Sequence, residues 1–254
     1  MDELFREARL KIQRAVKHIN DLNMILGQFS NRQTHEVIVE HDPNGGDDTL
    51  KVRASETLPD SFALTLGDAL HNLRSSLDYV ISEIEFATVK SRSKYTRFPV
   101  GQSRDDLKAR INKGLEERIP KNVIDCIVES IQPYPDGNGD FIYSLNDLDI
   151  ADKHRLLIAK MEYKFVDGIV LVDEQGKEFR VPQWQVVNDL IATHRIPGAK
   201  NTYVKKQGYA VFEVLFGQGL PFAGFVIVPA LRKLTHAVLD TIKEIDHWFR
   251  MSQL

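Results

Sequence analysis

Apolar side chains recur at steps of three and four residues in three long stretches of the chain, which is the period of an amphipathic helix. The first stretch predicts a helix over Asp2–Phe29, and the last predicts one over Pro229–Arg250. The middle stretch predicts a helix over Asp60–Thr88, which would be about 40 Å long. The apolar stripe of this middle helix consists of Leu66, Leu70, Leu73, Leu77, Val80 and Ile84.

Shorter patterns fill the space between these helices. Alternating apolar and polar residues in Glu36–Glu40 and Thr49–Ala54, on either side of the turn-rich DPNGGDD, predict a β-hairpin. Charged helical segments are predicted over Arg104–Lys113 and Lys121–Ile131. The sequence Ser-Leu-Asn-Asp at 144–147 resembles a capping box, so we expect a helix from there to about Met161.

From Tyr163 to Val228 the pattern changes to β alternation. A hairpin with Gly176 at its turn is predicted first, followed by a second hairpin with Gln207-Gly208 at its tip. The apolar run Phe222–Val228 is expected to add a central strand.

These elements predict an α+β protein, in which a bundle of about four or five helices carries an inserted antiparallel sheet. Both ends of the sequence contribute helices, which favours a single domain over residues 1–254. In this arrangement the helical core covers 1–161 and carries a small hairpin at 34–56. An antiparallel β insertion covers 162–228, and the helix over 229–250 packs back on the bundle.

Composition is that of an ordinary soluble protein, with 43% hydrophobic and 27% charged residues and a formal net charge of −3. This charge gives no long-range attraction to nucleic acid or to an anionic membrane. A single cysteine, Cys126, excludes an internal disulfide and fits a reducing compartment. The longest apolar run, Leu220–Leu231, is too short and too interrupted to span a bilayer. We therefore expect a cytoplasmic protein with no membrane partner.

Candidate chemistry first appears on the long middle helix. His71, Arg74 and Asp78 are spaced i, i+3 and i+7, so they share one face at the margin of the apolar stripe. Arg74 and Asp78 are four residues apart and can form an intrahelical ion pair of little energetic value if exposed. The cluster is therefore either a structural feature or part of a polar site.

A second cluster of the same residue types lies near the end of the later helix. It contains Asp149, Asp152, Lys153, His154 and Arg155. Asp149 and Lys153 form an i, i+4 pair that needs no function, and charge runs on helices are commonly solvated faces. The repetition of His, Arg and Asp on two helices is what suggests a shared site.

If the two clusters converge, their chemistry suits metal-independent cleavage of RNA through its own 2′-hydroxyl. Imidazoles titrate near neutral pH, so His71 and His154 would act as base and acid. Arg74 and Arg155 would bind phosphate, and aspartates would orient the histidines. The expected catalytic residues are therefore His71, Arg74, Asp78, Asp152, His154 and Arg155.

A divalent metal site is the competing interpretation, since His71, Asp78, Asp152 and His154 carry suitable donor atoms. Neither cluster has an HxxxH or HExxH spacing, so we predict no metal and no cofactor. Ser75 and Ser76 beside the first cluster invite a serine-hydrolase interpretation, but the GxSxG motif is absent from the sequence.

Four segments in order, LGDALHNLRSSLDYVI, RFPV, IQPY and LDIADKHRLLI, resemble a group of uncharacterised bacterial and phage proteins. The shared pattern is HNLRSxLD on a helix, an F-P turn, QPY and DKHR, and it covers roughly 60–160. This resemblance implies no established activity. More loosely, a helical bundle with Arg and His resembles the HEPN superfamily, which implies a dimeric, metal-independent ribonuclease active in phage defence. No Arg in this chain is followed by His at that superfamily's spacing.

Two functions from different classes fit these observations. The first is an RNA-cleaving or other phosphoester-acting enzyme. The second is a non-catalytic binding or assembly protein whose polar clusters fix the register of the helices. RNA or another phosphate-bearing ligand is the expected partner of the first, and in the second the sheet surface or a terminal helix meets a partner. The amphipathic first and last helices would serve as the seam of a homodimer.

Overall fold

The computed structural model describes residues 4–155, 159–185 and 192–252. Within these residues it contains six α-helices, a π-helical segment and seven strands, and the predicted α+β class is confirmed. The helices are α1 (Arg6–Ser30), α2 (Asp60–Val89), α3 (Arg104–Gly114), α4 (Lys121–Asp125), the π-helical segment (Cys126–Ile131), α5 (Asp140–His154) and α6 (Ile227–Met251). The strands are β1 (His35–Glu40), β2 (Thr49–Ala54), β3 (Ala159–Val172), β4 (Glu178–Arg180), β5 (Trp184–Gln185), β6 (Ala192–Arg195) and β7 (Tyr203–Phe216).

The chain divides into two compact units, each assembled from separate stretches. The helical unit comprises the described parts of 1–23, 61–158 and 216–254. The β-rich unit comprises 24–60 and the described parts of 159–215. The early hairpin, which we expected to accompany the helical core, thus belongs with the later strands.

Helix α2 supplies the centre of the helical unit, and its predicted apolar stripe is fully buried. The N-terminal end of α1 meets the C-terminal half of α2, where the carboxylate of Glu83 accepts a hydrogen bond from the backbone N–H of Phe5 at 2.6 Å. The first N–H groups of a helix have no partner within the helix, so a carboxylate there is stabilising. Because Glu83 is buried, its pKa is raised.

Helix α5 lies antiparallel to α2, as three contacts show. Asp152 lies against Gly67, His71 contacts Asp149, and Arg74 contacts Asn146. Residue numbers therefore increase along α2 while those of the contacting residues decrease along α5. Helix α6 contacts α4, α5 and the π-helical segment. The π-helical segment begins at Cys126, whose burial raises the pKa of its thiol to about 12.

In the β-rich unit, two sheets enclose an apolar core. One sheet has the order β1-β2-β6, and in the other β3 pairs with β4, β5 and β7. The predicted hairpin of β1 and β2 is confirmed, with Val37 opposite Val52. The β3–β4 hairpin is also confirmed, with Gly176 at a φ of 83° in its turn. The core side chains include Val37, Leu50, Val52, Val166, Ile169, Leu171, Val181 and Trp184.

The predicted start of α5 at the Ser144 capping box is wrong, and so is its extension to Met161. The helix begins at Asp140, directly after the loop residue Gly139, and its first turn carries the acidic side chain of Asp140. That acidic residue suits the positive end of the helix dipole and offers a better start signal than the box. The helix ends at His154, so Arg155 lies outside it with extended backbone.

The predicted hairpin with its tip at Gln207-Gly208 is also wrong, because β7 runs without a break from Tyr203 to Phe216. Gly208 has a φ of 72°, and a side chain there would collide with the carbonyl of Asp167 on β3. The glycine therefore marks a close approach of two strands rather than a turn.

The predicted strand Phe222–Val228 is wrong as well. Residues up to Phe225 form turns in which Phe222 and Gly224 have φ of 61° and 81°, and α6 begins at Ile227. Within this run only Ile227 and Val228, in the first turn of α6, are buried, whereas Phe225 in the preceding turn is exposed. Short apolar runs do not distinguish a strand from a turn of helix.

Candidate functional site

The facing sides of α2 and α5 carry a histidine held by a buried carboxylate. Nδ1 of His71 lies 2.9 Å from Oδ1 of Asp149. The Asp149 side chain is only 5% exposed, whereas the imidazole is 51% exposed. An ionised carboxylate can only accept, so it fixes the proton on Nδ1 and leaves Nε2 as the free acceptor of the neutral ring. Nε2 lies 3.3 Å from the hydroxyl of Ser75, which can donate to it.

Further charges surround this pair. The ammonium group of Lys153 donates to the second oxygen of Asp149, which is thereby shared between a histidine and a lysine. Asp152 lies over Gly67, where any side chain on α2 would collide with its carboxylate. Burial, and then the negative charges of Asp149 and Asp68, raise the pKa of Asp152. This end of the helix pair therefore concentrates carboxylates around one lysine and one histidine.

One turn further along α2, Arg74 is the centre of a second polar network. It is 7% exposed, and its three guanidinium nitrogens each donate to a different acceptor. Nε donates to Asn146 on α5 at 3.0 Å, Nη1 to Asp78 at 2.5 Å, and Nη2 to the carbonyl of Phe98 at 3.0 Å. Asp78 in turn accepts the backbone N–H of Phe98 at 2.8 Å. The predicted Arg74–Asp78 pair thus forms and holds both polar groups of one residue in the F-P turn.

The last two predicted site residues lie apart from these networks. His154 and Arg155 are both exposed. In the parts of the chain that the structure describes, neither side chain makes a hydrogen bond or an ion pair, and the backbone N–H of Arg155 donates to the carbonyl of Ala151. The contact between the clusters therefore runs through Asp149 and Asn146, and not through His154 or Arg155.

The sequence predicts Asp149 only as the i, i+4 partner of Lys153, and it marks neither Asn146 nor the Phe98 backbone nor a contact of Ser75 with His71. Asp149 follows the buried Leu148 and stands one helical turn after Leu145, which is a signal that it faces the core side of α5. The hydroxyl of Ser75 is four residues after His71, a spacing that brings side chains into contact on a helix. No comparable signal marks Phe98, because a backbone acceptor carries no sequence signature.

Among the described residues, no group of three or more His, Cys, Asp or Glu side chains is arranged to hold a metal ion. In the same residues, no helix combines the length and apolar character that crossing a membrane requires. Comparisons of the chain with protein-family models, with curated proteins and with solved structures find no match. The site is thus defined by its own geometry, as a histidine–aspartate pair between two helices of an α+β protein.

Proposed function

We propose that this protein cleaves a phosphoester bond in RNA without a metal ion and that His71 is its general base. The observation that carries the proposal is the pair of His71 and Asp149, in which a buried carboxylate orients a half-exposed imidazole. A general base needs a fixed tautomer and a free nitrogen within hydrogen-bond reach of the proton it removes. The contact with Asp149 supports the first condition, and a substrate hydroxyl that replaces the Ser75 hydroxyl at Nε2 would meet the second.

In the proposed reaction, Nε2 of His71 removes the proton from a ribose 2′-hydroxyl. The 2′-oxygen then attacks the adjacent phosphorus, and the bond from phosphorus to the 5′-oxygen breaks. The products are a 2′,3′-cyclic phosphate and a strand with a 5′-hydroxyl, whose oxygen takes a proton from a general acid. We assign the acid to His154, which is exposed at the end of α5. The exposed Arg155 next to it would bind the phosphate.

The other predicted residues act indirectly in this proposal. Arg74 donates from all three nitrogens to protein acceptors, so it is a positioning residue that holds α5 and the F-P turn on α2. Asp78 completes the same network. Asp152 lies beside Asp149, where burial and the negative charges of Asp149 and Asp68 raise the pKa of its carboxyl.

The test is cleavage, in buffer containing EDTA, of a fluorogenic oligonucleotide with a single ribonucleotide in a DNA strand. His71→Ala is expected to lower the rate at least about 100-fold, the lower range for loss of a general base. His236→Ala, which removes an exposed histidine on α6, is the matched control and should leave the rate unchanged. An uncut substrate, or equal rates for His71→Ala and wild type, would refute the proposal.

Ser75 makes a second experiment informative, because its hydroxyl reaches the same nitrogen of His71. If the 2′-hydroxyl is the nucleophile, Ser75→Ala should cleave at least as fast as wild type and should still release the cyclic phosphate. A loss in Ser75→Ala as large as that in His71→Ala, with no cyclic product from wild type, would instead identify the serine as the nucleophile.

A non-catalytic binding or assembly protein is the second candidate function. The bonding of Arg74 favours it, because each guanidinium nitrogen donates to a protein acceptor and the resulting network holds two helices and a turn without needing a substrate. Under this alternative, the helices form a bundle that dimerises through its first and last members. Size-exclusion chromatography with light scattering tests the dimer. The expected HEPN-like, cytoplasmic role in phage defence likewise stays a prediction.

A further inference from the structure

A cleft in the helical unit, distinct from the histidine–aspartate pair, is lined by basic side chains. Its walls are the loop that follows α2, the C-terminal half of α3 with the residues after it, and the face of α5 at Asn146 and Ile150. The volume of the cleft is about 550 Å³. Sites for small molecules usually measure about 300–1,000 Å³, so the cleft has room for a ligand of mononucleotide size.

All the charged side chains that line the cleft are positively charged. Five of the lining side chains are basic and none is a carboxylate, namely Arg74, Arg97, Arg110, Lys113 and Arg118. Three of these are paired, with Asp78, Asp106 and Glu85, which do not line the cleft. The remaining two, Arg97 and Lys113, are exposed and form no ion pair in the described part of the chain. In a chain with net charge −3, such a concentration of positive charge favours an anion.

An aromatic ring stands beside these cations. Tyr95 lines the cleft and is 77% exposed, and the ammonium group of Lys94 lies 5.0 Å from its ring centroid. Exposed tyrosine rings next to basic side chains are the recurring platform on which nucleic-acid bases stack. The cleft therefore offers both an anion site and a stacking surface.

The loop that carries Tyr95 and Arg97 is held in place by hydrogen bonds to a buried carboxylate. Glu85 of α2 is 0% exposed and accepts hydrogen bonds from the backbone N–H of Ser93 and from the hydroxyl of Thr96. It also forms the ion pair with Arg118 on the opposite wall. Phe98, at the end of the same loop, is held by Arg74 and Asp78 as described above. A loop anchored at both ends costs little ordering entropy when a ligand binds.

We infer that this cleft binds a nucleoside phosphate, with Arg97 and Lys113 contacting the phosphate and Tyr95 stacking on the base. The phosphate belongs either to a free nucleotide or to the 5′-phosphorylated end of an RNA strand. Neither the binding nor its three contact residues depends on the cleavage reaction proposed above. The two proposals can therefore fail separately.

The test is isothermal titration calorimetry with three probes: AMP, inorganic pyrophosphate and a 5′-phosphorylated RNA trinucleotide. The protein carries His71→Ala, so that no cleavage interferes. The double variant Arg97→Ala/Lys113→Ala should weaken all three probes at least about 10-fold, because charged hydrogen bonds to phosphate are lost. Tyr95→Ala should weaken AMP at least about 5-fold and leave pyrophosphate unchanged. All three substitutions are at exposed side chains, so the thermal transition should match that of the parent.

Lys108→Ala is the matched control, since Lys108 is an exposed lysine of α3 that does not line the cleft. It should bind every probe as the parent does. If the trinucleotide binds more tightly than AMP, the ligand is the end of an RNA strand. If the two bind with equal affinity, the ligand is a free nucleotide. Absence of AMP binding to the parent protein overturns the inference, as does an equal loss in Lys108→Ala and the double variant.

Discussion

Replacement of Arg74 by alanine is expected to destabilise the helical unit far more than its sequence context suggests. Arg74 and Asp78 have the i, i+4 spacing of an ordinary surface pair, but the Arg74 side chain is 8% exposed. Its removal leaves Asn146 and the carbonyl of Phe98 without the donor that Arg74 supplies, while Asp78 loses the arginine and keeps the backbone N–H of Phe98. Loss of one member of a buried pair costs about 3–5 kcal/mol. Because the Asp78 side chain is 30% exposed, water relieves part of this cost, and we expect about 3 kcal/mol.

For a protein of this size, about 3 kcal/mol corresponds to a fall in Tm of roughly 6–12 °C, measured by the helical circular dichroism signal. The matched control is Arg110→Ala, which removes an Arg–Asp pair of the same i, i+4 spacing with 56% exposure of the arginine. That variant should lose about 0.5 kcal/mol or less. The amide proton of Phe98 should also exchange faster in Arg74→Ala, because its acceptor Asp78 is no longer held. Equal Tm values for Arg74→Ala and Arg110→Ala would refute the reasoning.

Four further outcomes are expected. Gly67→Ala should lower Tm by several degrees, because its methyl group meets the carboxylate of Asp152, whereas Gly27→Ala, with open space around it, should raise Tm slightly. Asp152→Asn should raise Tm at pH 7, and the gain should vanish as the pH falls through the raised pKa of Asp152. Burial lowers the pKa of His35. The stability that the neutral imidazole contributes is therefore fully present above pH 6.5 and is lost as the pH falls towards the lowered pKa. His35→Asn should flatten this part of the profile of Tm against pH. Gly208→Ala should destabilise the β-rich unit through its φ of 72° and the opposing carbonyl on β3, which urea unfolding monitored by tryptophan fluorescence would detect.

The long helices were predictable because their apolar periodicity extends over many turns and fixes both the element type and the buried face. The same periodicity placed His71, Arg74 and Asp78 on one face of α2, which is where the structure has them. The partners of His71 and Arg74 on α5, Asp149 and Asn146, were not predictable, because they depend on how α5 is aligned along α2. A shift of one turn would bring a different set of α5 residues opposite His71.

Glycine accounts for the wrong hairpin prediction in the β-rich unit. Gly176 and Gly208 both have positive φ, and both follow a polar residue in a run of alternating residues. The first lies in a hairpin turn, while the second lies inside a strand where another backbone approaches. The sequence shows a glycine at both positions, but it does not show whether a turn or a close approach of two strands requires that glycine. Pairing partners, which are known only from the three-dimensional structure, decide between the two.

The two polar networks between α2 and α5 differ in what they contribute to stability, and this difference bears on function. Each of the three guanidinium nitrogens of Arg74 donates to a protein acceptor, so that network stabilises the fold. Asp152 instead lies among Asp149 and Asp68, and the rise in its pKa means that its ionised form is disfavoured in the folded protein. The negative charge of Asp152 lowers the stability of the fold, and the packing around the half-exposed His71 gives it no structural benefit. Such losses of stability are typical of functional sites. A purely structural network predicts that Asp152→Asn destabilises the protein as Arg74→Ala does, whereas the proposed active site predicts a gain.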